Sequence, residues 1–272
     1  MKALSFDPRS RGLTLIELVL VLAILSTIAG LVIPQVANLG RSSDMAASAK
    51  TQADLANNIQ LHFLELKRFP QGMDSLLVGA GGTPTGVFLA QDLDGDGEQD
   101  TGLPDSGPHL DDQLSMTNLS SLDAGGSQFV RSLQRSGFDY VFDHDPSVAN
   151  ANDSATASRD LTGSGIQVAT INSGSDIAEA IFASTAGVIP PDIVLVALGV
   201  GPRNALLGKT AMNAPIYPGN DGSYYGRYVA IFKVYADGRR AQLAMVTDSY
   251  GRFPDYTIKQ YNETLPEGGR RG

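Results

Sequence analysis

The chain has 272 residues and a formal net charge of −9, which repels a nucleic-acid backbone, and no Lys/Arg run longer than a pair such as Arg270-Arg271 gives such a backbone a footing. Nucleic acid is therefore not an expected partner. Cysteine is absent, which excludes disulfides, thiolate metal sites and cysteine nucleophiles.

The chain opens with a short polar stretch in which Lys2, Arg9 and Arg11 outweigh Asp7. Leu13 to Ile33 then forms an apolar run of 21 residues, close to the roughly 20 that carry a helix across a bilayer core. No charge follows until Arg41, so the positive-inside rule predicts a single span with a cytoplasmic start and an exported remainder. A secretory signal ends in a small-residue cleavage site after a shorter apolar core. Here the run continues past Gly30 to Pro34. Glu17 lies within it, and a carboxylate held in a bilayer is costly enough to be read as functional by default.

Gly12 immediately before the run, Glu17 five residues after it and Pro34 further along together resemble the class III signal of type IV pilins and type II secretion pseudopilins. The resemblance implies that a membrane prepilin peptidase cuts between Gly12 and Leu13 and methylates the new amine on Leu13. Glu17 becomes the fifth mature residue and directs assembly, and Pro34 becomes the twenty-second. Leu13 departs from the pattern, since the first mature residue is usually Phe or Met. The implied partners are the peptidase, other pilin or pseudopilin subunits and an inner-membrane assembly platform. The exposed amine of one subunit and Glu17 of its neighbour neutralise each other when the subunits dock in register.

Beyond Pro34, Met45, Ala49, Ala53, Ala56, Ile59, Phe63 and Leu66 recur at helical steps and predict an amphipathic continuation of the same helix to Phe69. Pro34 and Gly40 are candidate kink points. His62 reads as a packing or surface residue, and Pro70 stops the helix. The aromatic-Pro pair Phe69-Pro70 in "KRFPQGMDSLL", residues 67–77, also resembles the pseudopilin junction, which implies that a short Leu-rich helix comes next.

Residues 79–126 read as a long Gly- and Asp-rich loop. Within it, Asp92, Asp94, Asp96 and Asp100 occupy positions 1, 3, 5 and 9 of an EF-hand-like calcium loop, with Gly97 at position 6 and the Glu98 carbonyl available as a further oxygen. Leu103 stands where the bidentate Glu belongs, so Asp105 or another loop has to complete the shell. Calcium is thus the expected cofactor.

Residues 127–137 predict a short helix, residues 138–146 a strand ending in an acidic turn, and residues 149–165 a polar loop. Asp143, His144 and Asp145 are read as part of that turn rather than as a metal site. "IAEAIFAS" predicts a helix, "DIVLVALGV" a buried strand, and "YYGRYVAIFKVYADGRRAQLAMVTDS" a hairpin turning at Asp237-Gly238. "RNALLGKT" ends like a phosphate-binding loop, but Arg203 replaces its first Gly. Neither G-x-S-x-G nor H-E-x-x-H occurs, and His62, His109 and His144 lie far apart, so no enzyme is expected.

The expected architecture is α+β and pilin-like, a long N-terminal helix packed on an antiparallel sheet head. Its parts are a cleaved leader (1–12), a transmembrane and polymerisation helix (13–33), the amphipathic continuation (34–69) and the head (70–272). The expected function is a pilus or pseudopilus subunit in the bacterial inner membrane, its head in the periplasm before assembly. A membrane-anchored enzyme or ligand-binding protein using a pilin-type signal is the alternative.

Overall fold

A computed structural model describes residues 15–79, 87, 110–122, 128–163, 165–218, 220, 222 and 224–254, with the side chains of 31–42 and 111 outside that description. Helix α1 spans Leu15–Leu66. The chain divides into two compact units, Met1–Ser43 and Asp44–Gly272.

In the first unit, α1 stays helical through Pro34 and Gly40. The second unit is α+β. Its strands are β1 (Met73–Val78), β2 (Leu114–Asn118), β3 (Tyr140–His144), β4 (Ala155–Asp160), β5 (Gln167–Ile171), β6 (Ile193–Gly199), β7 (Val229–Tyr235) and β8 (Gln242–Thr247). Helix α2 is Gln128–Arg135 and α3 is Asp176–Ile181. The eight strands form one sheet in the order β2-β5-β6-β1-β3-β4, with β7 and then β8 added beside β6. All pairs are antiparallel except β1 with β3. Because β7 pairs with all seven residues of β6, β5 and β1 share its other edge. The β1 contact there is a single register pair, Asp74 with Gly199.

Alternation along the central strands builds two apolar layers, as a sheet covered on both faces requires. Val196, Leu198, Ala230, Phe232 and Val234 join Leu55 and Ile59 of α1 and Phe129 and Leu133 of α2. Leu195, Ala197, Val229 and Ile231 point the other way and meet Ile177 and Ala178 of α3.

Several expectations change here. Residues 73–78 form a strand in mid-sheet, not the short helix. Met73 to Leu77 are buried without a break, and a short apolar run buried on both faces has no period to separate strand from helix. The strand is irregular. Its register with β3 slips between Asp74 and Val78, where Leu76 takes a φ of 58° and the Leu77 amide donates to Ser75 Oγ at 3.1 Å. The expected loops at 79–126 and 149–165 contain β2 and β4, which lie at the two ends of the main strand path. Edge strands bury little, so their polar sequences look like loop. Helix α1 ends at Leu66 rather than Phe69, where Lys67 turns left-handed at φ 55° and its amide donates to the Phe63 carbonyl at 2.8 Å. The β7–β8 hairpin forms as expected, with the Gly238 amide donating to the Tyr235 carbonyl at 3.1 Å.

The head half of α1 buries Ser48, Gln52, Leu55, Ile59 and His62, a stripe rotated from the expected one, in which Ala53 and Leu66 are exposed. Polar members of the stripe are hydrogen-bonded. Gln52 donates to the Arg252 carbonyl at 3.0 Å, and His62 Nδ1 lies 3.1 Å from the Arg68 carbonyl. His62 is therefore a packing residue, and burial lowers its pKa.

Candidate assembly site and the buried polar cluster

Between residues 15 and 30, α1 carries one charged side chain, Glu17, in its first turn. The positive end of the helix dipole favours a carboxylate at that position. Thr27 satisfies its hydroxyl locally by donating to the Ala23 carbonyl at 2.9 Å. Leu15, Ile16, Leu18, Val19, Leu20, Val21, Leu22, Ile24, Leu25 and Ile28 are all exposed, at 48 to 83 %. At about 100° per residue these positions cover the whole circumference, so this is no one-sided stripe. A helix apolar all round is stable only inside a bilayer or a bundle, and each of its large side chains gains about 1.5–3 kcal/mol when fully covered.

Gly12 and Leu13 lie outside the described residues, and so does the side chain of Pro34. The expected span of 13–33 begins and ends beyond the described side chains of 15–30. Among the described residues no helix is long and apolar enough to cross a membrane. The whole acidic loop, Asp92, Asp94, Asp96, Glu98 and Asp100, also lies outside them.

The head contains a polar cluster that the sequence did not signal. Asp74 and Tyr225 are wholly buried, and the Tyr225 hydroxyl donates to Asp74 Oδ2 at 2.9 Å. Burial pushes the Asp74 carboxyl up to about 7, opposed by the Tyr225 hydrogen bond and the Arg227 and Arg203 charges. The His144 ring stands edge-on to Tyr225 at 5.0 Å, with Nδ1 2.6 Å from Ser154 Oγ. Burial lowers its pKa to about 4 against the raising effect of Asp143. Gly199 and Gly201 make room for the cluster, since a Cβ on Gly199 would strike the Tyr225 hydroxyl and one on Gly201 the Asp74 carboxylate. The G-V-G spacing at 199–201 was the available hint.

Asp143 and His144 belong to β3, not to a turn. Asp143 accepts from Arg159 Nε at 2.6 Å, while half-buried Asp145 caps the turn that follows by accepting from the Ser147 amide at 2.9 Å. Among the described residues no group of three His, Cys, Asp or Glu side chains is placed to hold a metal. Arg203 packs over the Phe142 ring at 5.3 Å, and no helix opens after Lys209-Thr210, so "RNALLGKT" lacks the context of a phosphate loop.

Neither curated proteins nor solved structures gave a match. A family model described as the prokaryotic N-terminal methylation motif matches residues 7–33, a stretch that contains Gly12, Leu13 and Glu17. The chain thus carries the class III signal characteristic of type IV pilins and pseudopilins.

Proposed function

We propose that the chain is a structural subunit, major or minor, of a type IV pilus or a type II secretion pseudopilus. One observation carries this reading: the methylation motif coincides with a helix segment that is apolar on every side and whose one charge is Glu17. Prepilin peptidase cuts between Gly12 and Leu13 and methylates the Leu13 amine. The apolar segment then leaves the inner membrane for a bundle of like helices on the assembly platform, its head on the periplasmic side. Glu17 of one subunit meets the amine of the next and fixes the stagger. The role is structural rather than catalytic.

Mass spectrometry of the membrane-extracted protein tests this directly. The expected species starts at methylated Leu13, and Gly12→Phe stays in the membrane uncut. An intact mass that keeps the first twelve residues in cells with an active prepilin peptidase would overturn the reading.

We propose further that Asp92, Asp94, Asp96 and Asp100, with the Glu98 carbonyl, hold calcium. The support is the spacing of the carboxylates around Gly97, which suits one hard cation.

A further inference from the structure

A groove of about 350 Å³ opens between the last turns of α1 and the start of β8, lined in part by Gln60, Phe63, Leu64, Phe69, Arg240 and Leu243. Its floor is aromatic. Phe63 stacks on Phe69 with ring centroids 4.5 Å apart, and Phe69 meets Phe232 edge-on at 5.0 Å. On the same turns of α1, Leu61, Leu64 and Leu66 remain 48, 60 and 42 % exposed. Of these, Leu64 lines the groove, and exposed apolar surface at a groove marks an interaction site.

The groove's lining includes one cation and no acid, against the overall charge of −9. Arg240 lines the groove, and Arg239 beside it lies over the Tyr235 ring at 3.6 Å. Arg135 of α2 donates to the Gly238 carbonyl in the same turn at 2.8 Å. Gly137, just beyond α2, packs so closely on Arg68 that a Cβ there would overlap the Arg68 side chain. These contacts draw Arg68, Arg135, Arg239 and Arg240 to one end of the head, and all four are exposed. The acids in the neighbouring stretches are Glu65, Asp139, Asp192 and Asp237, of which Asp139 accepts from Gln71 and Asp237 is paired with Arg239 at 3.6 Å.

We propose that this groove docks an acidic segment of a partner protein through one aromatic anchor. The anchor enters beside Phe63, Leu64 and Leu243, and the flanking carboxylates meet Arg240, Arg239 and Arg68. Charge complementarity selects this occupant, because arginine forks bind carboxylates in pairs whereas an apolar helix gains nothing from such a rim. The outer edge of β8 pairs with no other strand among the described residues. Its register nonetheless slips between Leu243 and Met245, and such a bulge blunts an edge against strand addition. Recognition therefore runs through side chains, not through an added strand.

The test is fluorescence anisotropy on the full chain in detergent micelles, with a labelled short peptide carrying one Phe flanked by Asp residues. Saturable binding is expected, weakened about tenfold or more by Lys in place of Asp and about fivefold or more by Ala in place of Phe. Arg240→Glu, and separately the exposed Leu64→Glu, weaken it about fivefold or more while leaving the melting temperature unchanged. Equal binding of the Asp and Lys peptides, undiminished binding by the variants, or no saturable binding would each overturn the proposal. So would displacement of the peptide by an equal concentration of an oligonucleotide, which would mark a general polyanion site. Loss of self-association in the variants without any peptide binding would assign the groove to a second copy instead.

Discussion

Asp74 and His144 flank Tyr225 from two strands, and burial moves both toward their neutral forms. The consequences for stability have opposite signs. Asp74 titrates at about 7 when folded against 3.8 when exposed, so the folded state holds the extra proton and stability falls as pH rises through that window. His144 titrates at about 4 when folded against 6.5 when exposed, so the unfolded state holds the extra proton and stability rises with pH between those values. Each effect is on the order of 3 kcal/mol. They offset from about pH 4 to 6.5, and only the Asp74 effect continues up to about 7. Asp74→Asn should therefore become more stable from pH 4 to 6.5, and His144→Gln less stable from pH 4 to 7, relative to a flatter native profile. Denaturant melts of the full chain at stepped pH check this, and profiles parallel to the native one in both variants would refute it. Gly201→Ala drives a Cβ into the Asp74 carboxylate and should lose about 2–3 kcal/mol at any pH. None of this was legible in "GMDSLLV", because a buried acid is set by what folds around it.

At the scale of elements, α1 was the most legible feature and also the most instructive error. Its apolar start and helical period could be read directly, whereas the seat of its second half could not. The buried stripe contains Ser48, Gln52 and His62, whose partners include residues far away in the chain, and hydrophobic periodicity does not register a polar residue buried by a hydrogen bond. Gln52→Ala should cost about 1–2 kcal/mol, since the Arg252 carbonyl then loses a buried donor. Thermal melts that match the native protein would show that the contact contributes nothing. For the first half of the helix, Glu17→Ala should be processed and inserted yet yield far less sheared filament. Filament of normal yield would place the control of register elsewhere. The strands divide in the same way. Central β6 and β7 are apolar enough to read directly, while β2 and β4 are polar edge strands and β1 is an apolar run without a period.

For the molecule as a whole, the α+β class follows from a long helix, a hairpin and a buried strand, all visible in the sequence. The forked sheet does not follow, because pairing Asp74 with Gly199 joins segments that no local pattern connects. The acidic loop carries a whole-molecule prediction of its own. Millimolar calcium should raise the melting temperature of the full chain in detergent, more than magnesium does, because a ligand bound only by the folded state stabilises by mass action. Asp94→Ala with Asp96→Ala should erase the difference, and identical melts with calcium and with chelator would reduce the loop to a solvated turn.

The contact between Gln52 and the Arg252 carbonyl spans 200 positions, and it ties the order of delivery to the order of folding. A chain synthesised N-terminus first brings out residue 52 long before the segment that seats it. Strand β6, which receives β1, also precedes its full-length partner β7. Such non-local pairing is slow to form. The head half of α1 therefore waits through much of synthesis with its Leu55 and Ile59 side chains uncovered, open to capture by a holdase, until α2 and the central strands follow.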